Sequence, residues 1–297
     1  MQAPYRAGPA HADFSGLWLP LVTPFEHGKL DHPSLKRLVE HYRGSGITGL
    51  VVCGSTGEAA ALDDDEQLEL LQAVRDQAPG LPVIMGVSGY HLGKTAARIR
   101  ALKTSGISGI LLPAPSYIRP SQAGLIEWFT TLADTSAVPL VVYDIPYRTG
   151  SRLELATLLT LAAHPRIQAL KDCGGEPAKT RALIQDGRLQ VLAGEDAAIF
   201  STVAQGGHGA IAAAAHLHTA RFVDVLQRLR AGDIAGAEAL WMPLLPLIAA
   251  LFAEPNPGPL KALMAQHGLL RNELRSPMTP ASAALADQLR RLDAQLE

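Results

Sequence analysis

The 297 residues carry 26 Lys+Arg against 28 Asp+Glu, a formal net charge of -2, and are 47% hydrophobic but only 18% charged. So apolar a chain is not disordered, and it is long enough for one large core or two modest ones. No basic run or patch emerges, so neither nucleic acid nor an anionic membrane is expected as a partner.

Two cysteines, Cys53 and Cys173, build no disulfide framework and fit a reducing cytoplasm. Residues 1–14 lack the charged start, apolar block and cleavage pattern of a signal peptide and read as a short disordered tail. The longest strongly apolar stretch, Trp241–Ala253, contains two prolines and falls short of the roughly 20 residues of a membrane span. A soluble, cytoplasmic protein is expected.

In chain order, strand-length apolar runs fall at Leu17–Val22, Gly49–Cys53, Val83–Gly86, Gly109–Leu112, Leu140–Tyr143, Ile167–Leu170, Gln190–Ala193 and Gly209–Ala212. Nearly devoid of charge, they match strands buried on both faces. Between them, Pro33–Tyr42, Asp63–Gln77, Lys94–Lys103, Ser121–Asp134, Leu153–Ala162, Pro177–Gln185 and Ala197–Gln205 space apolar residues at helical intervals. Acids at Asp63–Glu66 suit a helix N-terminus, and Gly44, Gly46 and Gly106 suit helix ends. Eight such units predict an α/β fold, a (β/α)8 TIM barrel over residues 15–215. An open doubly wound sheet is disfavoured, since no Gly-rich phosphate fingerprint follows the first strand. Residues 216–297 continue as helices, His216–Arg230, Ile234–Phe252, Pro259–His267 and Pro280–Leu296, expected to pack on the barrel as a C-terminal helical extension.

Barrel active sites lie at the C-terminal ends of the strands. Of seven lysines, Lys36, Lys94, Lys103, Lys179 and Lys261 fall in helical patterns and Lys29 in a loop, and all six are expected to be solvated. Lys171 instead follows an apolar strand directly. Desolvation there lowers a lysine pKa, and the neutral amine attacks carbonyls to give a Schiff base. An ion pair with Asp172 or Glu195 is the structural alternative. Tyr143, ending the neighbouring strand, is either a proton relay or a core aromatic with one wet end. Ser55 and Thr56 sit in a Gly54–Gly57 turn whose backbone N–H groups suit a carboxylate, although turns of small residues are common and this one is not specific by itself. Arg148 could clamp a second carboxylate, or lie on the surface. His208, His216 and His218 do not match zinc-ligand spacing and read as structural, so no metal or other cofactor is expected.

With these residues in place, the chain resembles the dihydrodipicolinate synthase / N-acetylneuraminate lyase family of class I, Schiff-base-forming pyruvate aldolases. The resemblance runs from about Gly16 to the C-terminus. It is carried by Leu21-Val22-Thr23-Pro24-Phe25, Gly54-Ser55-Thr56-Gly57-Glu58, Tyr117-x-Arg119-Pro120-Ser121, Tyr143 to Gly150, Leu170-Lys171-Asp172, Gly194-Glu195-Asp196, Gly206-Gly207-His208-Gly209 and Glu254-Pro255-Asn256-Pro257. It implies that Lys171 condenses with pyruvate and that Tyr143 moves protons beside the imine. Ser55 keeps the hydroxyl of a threonine that links two tyrosines. The other tyrosine is Tyr117, which implies a homo-oligomer, since in the family it enters the neighbouring subunit's site. Thr56 and the Ile211 backbone match positions that hold pyruvate, and Arg148 matches an arginine that meets the carboxylate of aspartate semialdehyde.

The resemblance also marks departures. Tyr90, Lys94 and Ser116 stand where lysine-inhibited synthases have Asn, Glu and Tyr, so inhibition by lysine is not expected. Asp144 and Ile118 each replace an Asn and are expected to reshape the aldehyde pocket. The expected function is condensation of pyruvate with L-aspartate 4-semialdehyde. The alternatives are an aldolase or dehydratase for a 2-keto-3-deoxy sugar acid or sialic acid on the same lysine, and a non-catalytic paralogue.

Overall fold

The computed structural model describes residues 12–296. Eight parallel strands, β1 (Gly16–Pro20), β2 (Gly49–Val52), β3 (Val83–Gly86), β4 (Gly109–Pro113), β5 (Leu140–Asp144), β6 (Ile167–Asp172), β7 (Gln190–Ala193) and β8 (Gly209–Ile211), pair in sequence order and close through β1 and β8. All strand residues except a few at the ends are buried, which explains why the runs do not alternate with polar residues. The expected barrel is therefore the observed one. A short antiparallel hairpin, Phe25–Glu26 with Lys29–Leu30, follows β1 and was not legible as strand.

The intervening helices are α1 (His32–Tyr42), α2 (Asp64–Gln77), α3 (Leu92–Ala101), α4 (Gln122–Thr135), α5 (Leu155–Leu161), α6 (Pro177–Asp186) and α7 (Ile199–Ala204). At α2, the Asp63 carboxylate accepts from Glu66 N (2.8 Å) and the Glu66 carboxylate accepts from Asp63 N (3.1 Å), a reciprocal cap that explains the acidic run. The large apolar cluster lies between barrel and helices, while Val51, Ile84, Leu111, Val141, Ala169, Leu192 and Ile211 fill the barrel interior.

The N-terminal mouth of the barrel is plugged. Phe14 and Trp18 are fully buried with ring centroids 6.0 Å apart, and Trp18 Nε1 donates to Phe14 O (2.7 Å). A Cβ at Gly49 would stand 2.5 Å from the Trp18 ring, so glycine there leaves room for the indole. Phe14 N donates to Gln190 Oε1 (2.8 Å) and Ala12 N to Gln168 Oε1 (2.9 Å). Of the expected tail, residues 1–11 lie outside the described residues, whereas Ala12–Phe14 belong to the barrel floor. With one end sealed, chemistry is left to the other.

After β8 come α8 (Thr219–Arg230), α9 (Ile234–Trp241), α10 (Leu245–Leu251), α11 (Gly258–Gln266) and α12 (Ala283–Asp293). A short 3-10 turn joins α9 to α10, giving an 18-residue stretch, Ile234–Leu251, of mean hydropathy 1.7. This corrects the sequence expectation, because by length and composition the stretch could cross a membrane. Its buried residues, Ala237, Trp241, Leu244, Leu247, Ile248, Ala250 and Leu251, join the large core cluster, and Trp241 packs against Phe200 and Phe222 at 6.3 and 6.1 Å.

Candidate active site

At the open mouth, β5 and β6 run in register so that Tyr143 is paired with Lys171. Both side chains turn inward and are 6% exposed, and the Lys171 ammonium lies 4.4 Å from the Tyr143 ring centroid. They line a cavity of about 450 Å³ together with Ser55, Thr56, Arg148, Glu195, Asp196, Ile211 and Asn256. Six of the seven expected site residues thus converge. Tyr117 does not: it stands 91% exposed on the loop after β4, with a left-handed backbone (φ 74).

Burial pushes the Lys171 amine below its ordinary pKa, while Cys173, Asp196 and Glu195 pull the other way. No carboxylate lies within 4 Å of its nitrogen among the described residues. Asp172, the nearest in sequence, accepts instead from Gly174 N (2.9 Å) and from the Thr180 hydroxyl, and Glu195 accepts from Tyr147 OH (3.0 Å). The expected alternative, an ion pair with either carboxylate, is absent. Desolvation also raises the Tyr143 phenol, opposed by the Ser55 hydroxyl and the Arg148 guanidinium. Asp196 is pushed up to about 7 by burial, with Oδ1 held by Ala214 N (2.6 Å).

The remaining polar groups come from loops. Thr56, 5% exposed, accepts at Oγ1 from Asn256 Nδ2 (3.0 Å), and Thr23 Oγ1 donates to Gly57 O (2.6 Å). Arg148 sits on a one-turn helix, Pro146–Thr149, and its guanidinium has no hydrogen-bond or ion-pair partner among the described residues. An adjoining cavity of about 330 Å³ shares Ser55, Tyr143, Arg148 and Asn256, and its other walls are largely apolar, with Ala59, Val87, Leu111, Ala114 and Ile145 among them.

Several expectations need correction. Lys179 and Lys261 are not solvated: they are 5% and 0% exposed. Lys179 pairs with Asp144 (2.8 Å) and Glu176 (3.0 Å) and donates to Leu153 O (3.0 Å), while Lys261 pairs with Glu58. Asp144 is thereby turned into a buried ion pair and lines neither cavity, and Ile118, 46% exposed, lines neither as well. Helical spacing misplaced both lysines because Asp144 and Glu58 lie 35 and 203 residues away from them. The residue the sequence reading passed over is Asn256, visible in it only as part of Glu254-Pro255-Asn256-Pro257.

Of the three histidines, His216 and His218 are occupied structurally, whereas the buried Nδ1 of His208 has no hydrogen-bond partner among the described residues. His216 Nδ1 lies 2.8 Å from Ala213 O, and Nε2 accepts from Val22 N (3.3 Å). His218 Nε2 lies 2.8 Å from Asp293. Among the described residues, no group of three or more His, Cys, Asp or Glu is placed to hold a metal ion.

Known proteins with this arrangement are numerous. The profile of the dihydrodipicolinate synthetase family matches residues 13–295. A 4-hydroxy-tetrahydrodipicolinate synthase of Clostridium acetobutylicum is 35% identical over 278 residues, 92% of this chain and 97% of that protein. One from Haloarcula marismortui is 37% identical, over 96% of this chain and 94% of its own. The crystal structure of a chloride-inhibited dihydrodipicolinate synthase from Acinetobacter baumannii, complexed with pyruvate, superposes with a TM-score of 0.92 at 30% identity, covering 95% of this chain and 99% of that one. The chain belongs to the dihydrodipicolinate synthetase family of lyases.

Proposed function

We propose that this enzyme is a 4-hydroxy-tetrahydrodipicolinate synthase, condensing pyruvate with L-aspartate 4-semialdehyde through a Schiff base on Lys171. One observation carries the reading: a buried lysine, depressed by desolvation and without a carboxylate partner, shares a cavity with a phenol and an unpaired arginine. The pyruvate complex of the Acinetobacter baumannii relative supports the choice of donor.

The Lys171 amine attacks the keto carbon, the oxygen leaves as water, and a protonated imine results. Its positive charge acidifies the methyl group. Loss of a methyl proton gives an enamine, whose carbon bonds to the aldehyde carbon while the aldehyde oxygen takes up a proton. The amine of the semialdehyde then attacks the imine carbon, closes the ring and releases Lys171 as the free amine. Tyr143 is the proton carrier, positioned over Lys171 and touched by the Ser55 hydroxyl. Thr56, the backbone N–H groups of its turn and Ile211 hold the pyruvate carboxylate. Arg148 receives the carboxylate of the semialdehyde.

Tyr117, almost wholly exposed, completes the relay from a second copy of the chain, which makes the working form a homo-oligomer. With Tyr90, Lys94 and Ser116 in place of the lysine-binding set, the enzyme is insensitive to lysine. Cys53 and Cys173 are free and buried, which suits a cytoplasmic protein.

The test is borohydride reduction in the presence of pyruvate, followed by peptide mass spectrometry and a turnover assay with aspartate semialdehyde. A pyruvyl adduct on Lys171 together with ring product is expected. An adduct with turnover only of a sugar-derived aldehyde would replace the synthase by a sugar-acid aldolase, and no adduct on folded protein would remove the aldolase reading.

A further inference from the structure

The Gly54–Glu58 turn, which carries Ser55 and Thr56, is held in place by the far end of the chain. Two non-glycine residues with left-handed backbones bracket it, Cys53 (φ 55) and Glu58 (φ 54). Residues stay in that region only where their surroundings over-determine it. Here the surroundings are α11 and the segment after it. Lys261 Nζ bonds Glu58 Oε1 and donates to Glu273 O (2.8 Å), while Arg275 N donates to Glu58 Oε2 (3.3 Å). The Lys261 ammonium and the Arg275 guanidinium each lie 4.5 Å from the Phe25 ring centroid, in the hairpin after β1. Asn256 grips the same turn at Thr56.

Stability alone does not call for an ion pair at this place, provided both charges are removed together. Lys261 is fully buried within the otherwise apolar run Pro259–Met264, and the polar groups it meets, Glu58 and the Glu273 carbonyl, are brought by other segments. Replacing a buried ion pair by apolar groups is often neutral or stabilising. What the pair supplies is direction: a short, charge-assisted bond fixes the Glu58 carboxylate, and with it the end of the turn, to a rigid helix.

We propose that Lys261 is a positioning residue for pyruvate: paired with Glu58, it sets the orientation of the Ser55–Thr56 turn that faces Lys171 across the cavity. The proposal rests on the pyruvate reading above. It makes the C-terminal helices part of the binding machinery for the donor substrate, through contacts that do not include Arg148.

The experiment is a pyruvate titration of borohydride trapping on Lys171, with steady-state kinetics and thermal midpoints, for the wild type, Lys261→Met and Glu58→Gln. Loosening the turn is expected to raise the half-saturating pyruvate concentration roughly 10-fold in Lys261→Met, with full adduct at saturation. The KM for the aldehyde should move by less than about two-fold, because Arg148 lies outside the turn. If Lys261→Met does not fold, the double variant Glu58→Gln/Lys261→Met, which removes both charges, is titrated against the same criterion. A lowered thermal midpoint with unchanged half-saturation in the folded protein would overturn the proposal. Absence of an adduct in the wild type would instead overturn the pyruvate reading itself, so the two failures are distinguishable.

Discussion

The mouth of β6 and helix α6 each bury a lysine, and the two environments treat it in opposite ways. Burial holds Lys171 below its ordinary pKa, whereas at Lys179 the cost of burial is outweighed by Asp144 and Glu176 and the amine is raised. On α6 the Lys179 ammonium meets Asp144 and Glu176, while on α11 Lys261 meets Glu58 and a carbonyl and burial still holds it below its ordinary pKa. At β6 Lys171 faces the Tyr143 ring and an open cavity, with its neighbouring carboxylates bonded elsewhere. An ammonium taken out of water keeps its proton when a carboxylate compensates it and gives it up more readily when none does. Burial lowers both Lys171 and Lys261, and of the two only Lys171 keeps its nitrogen free of a carboxylate, which is what suits it to the proposed attack on a carbonyl.

The largest expected effect breaks the comparison at its active member. Lys171→Ala should abolish the pyruvyl adduct and lower turnover by at least about 10³-fold, since no other amine can form the covalent intermediate. Lys179→Met should leave an adduct on Lys171 at saturating pyruvate. An adduct surviving in Lys171→Ala would place the chemistry on another lysine. Lys179→Met should instead cost stability, about 3 kcal/mol or more in urea unfolding, because it strips Asp144 of its buried counter-charge. Adding Asp144→Asn should return part of the loss, and an unchanged unfolding curve in Lys179→Met would make the pair energetically silent.

A third prediction concerns two groups whose shifts oppose each other. Burial holds His216 down to about 4, so the native state binds fewer protons than the unfolded chain between about 4 and 6.5. Stability from this group rises with pH across that window. Asp196, pushed up to about 7, keeps a proton that the unfolded chain has lost above about 4, so its contribution falls as pH rises from about 4 to 7. The slopes offset each other in the wild type. Asp196→Asn removes the falling one, and its unfolding free energy should climb more steeply between about pH 4.5 and 6.5, by up to about 3 kcal/mol. Parallel pH curves for variant and wild type would show that Asp196 ionises normally.

The smallest effect sharpens the division within the site. Arg148→Ala should raise KM for aspartate semialdehyde about 10-fold or more, the loss of one charge-assisted contact, while the pyruvate titration of Lys171 stays near wild type. Turnover unchanged in this variant would remove the synthase assignment and leave the donor chemistry intact.

Much of this was legible in the residues. The strands were found within about two residues because a strand buried on both faces is a continuous apolar run, a local property of composition. Lys171 was legible for the same reason: it is the one lysine abutting such a run. The Asp63–Glu66 cap was legible because capping is decided within a single turn.

Lys179 and Lys261 were not, because helical spacing says which face a residue is on but not what that face meets. For Lys261 a signal was present, an ammonium inside the wholly apolar Pro259-Leu260-Lys261-Ala262-Leu263-Met264, since a charge so placed needs a partner. The docking of Ala12–Phe14 into the barrel floor was equally hidden, for Phe14 looks like tail until the ring of strands beneath it has closed.

Sequence by itself determined the eight-fold alternation, the position of the lysine proposed as nucleophile and the motifs that mark the family, all properties written in short stretches. Tertiary structure alone decided which carboxylate faces which ammonium, which tyrosine stays outside the cavity and which loop the C-terminal helices hold. Those choices join residues far apart in the chain, and only the closed barrel brings them within reach of one another.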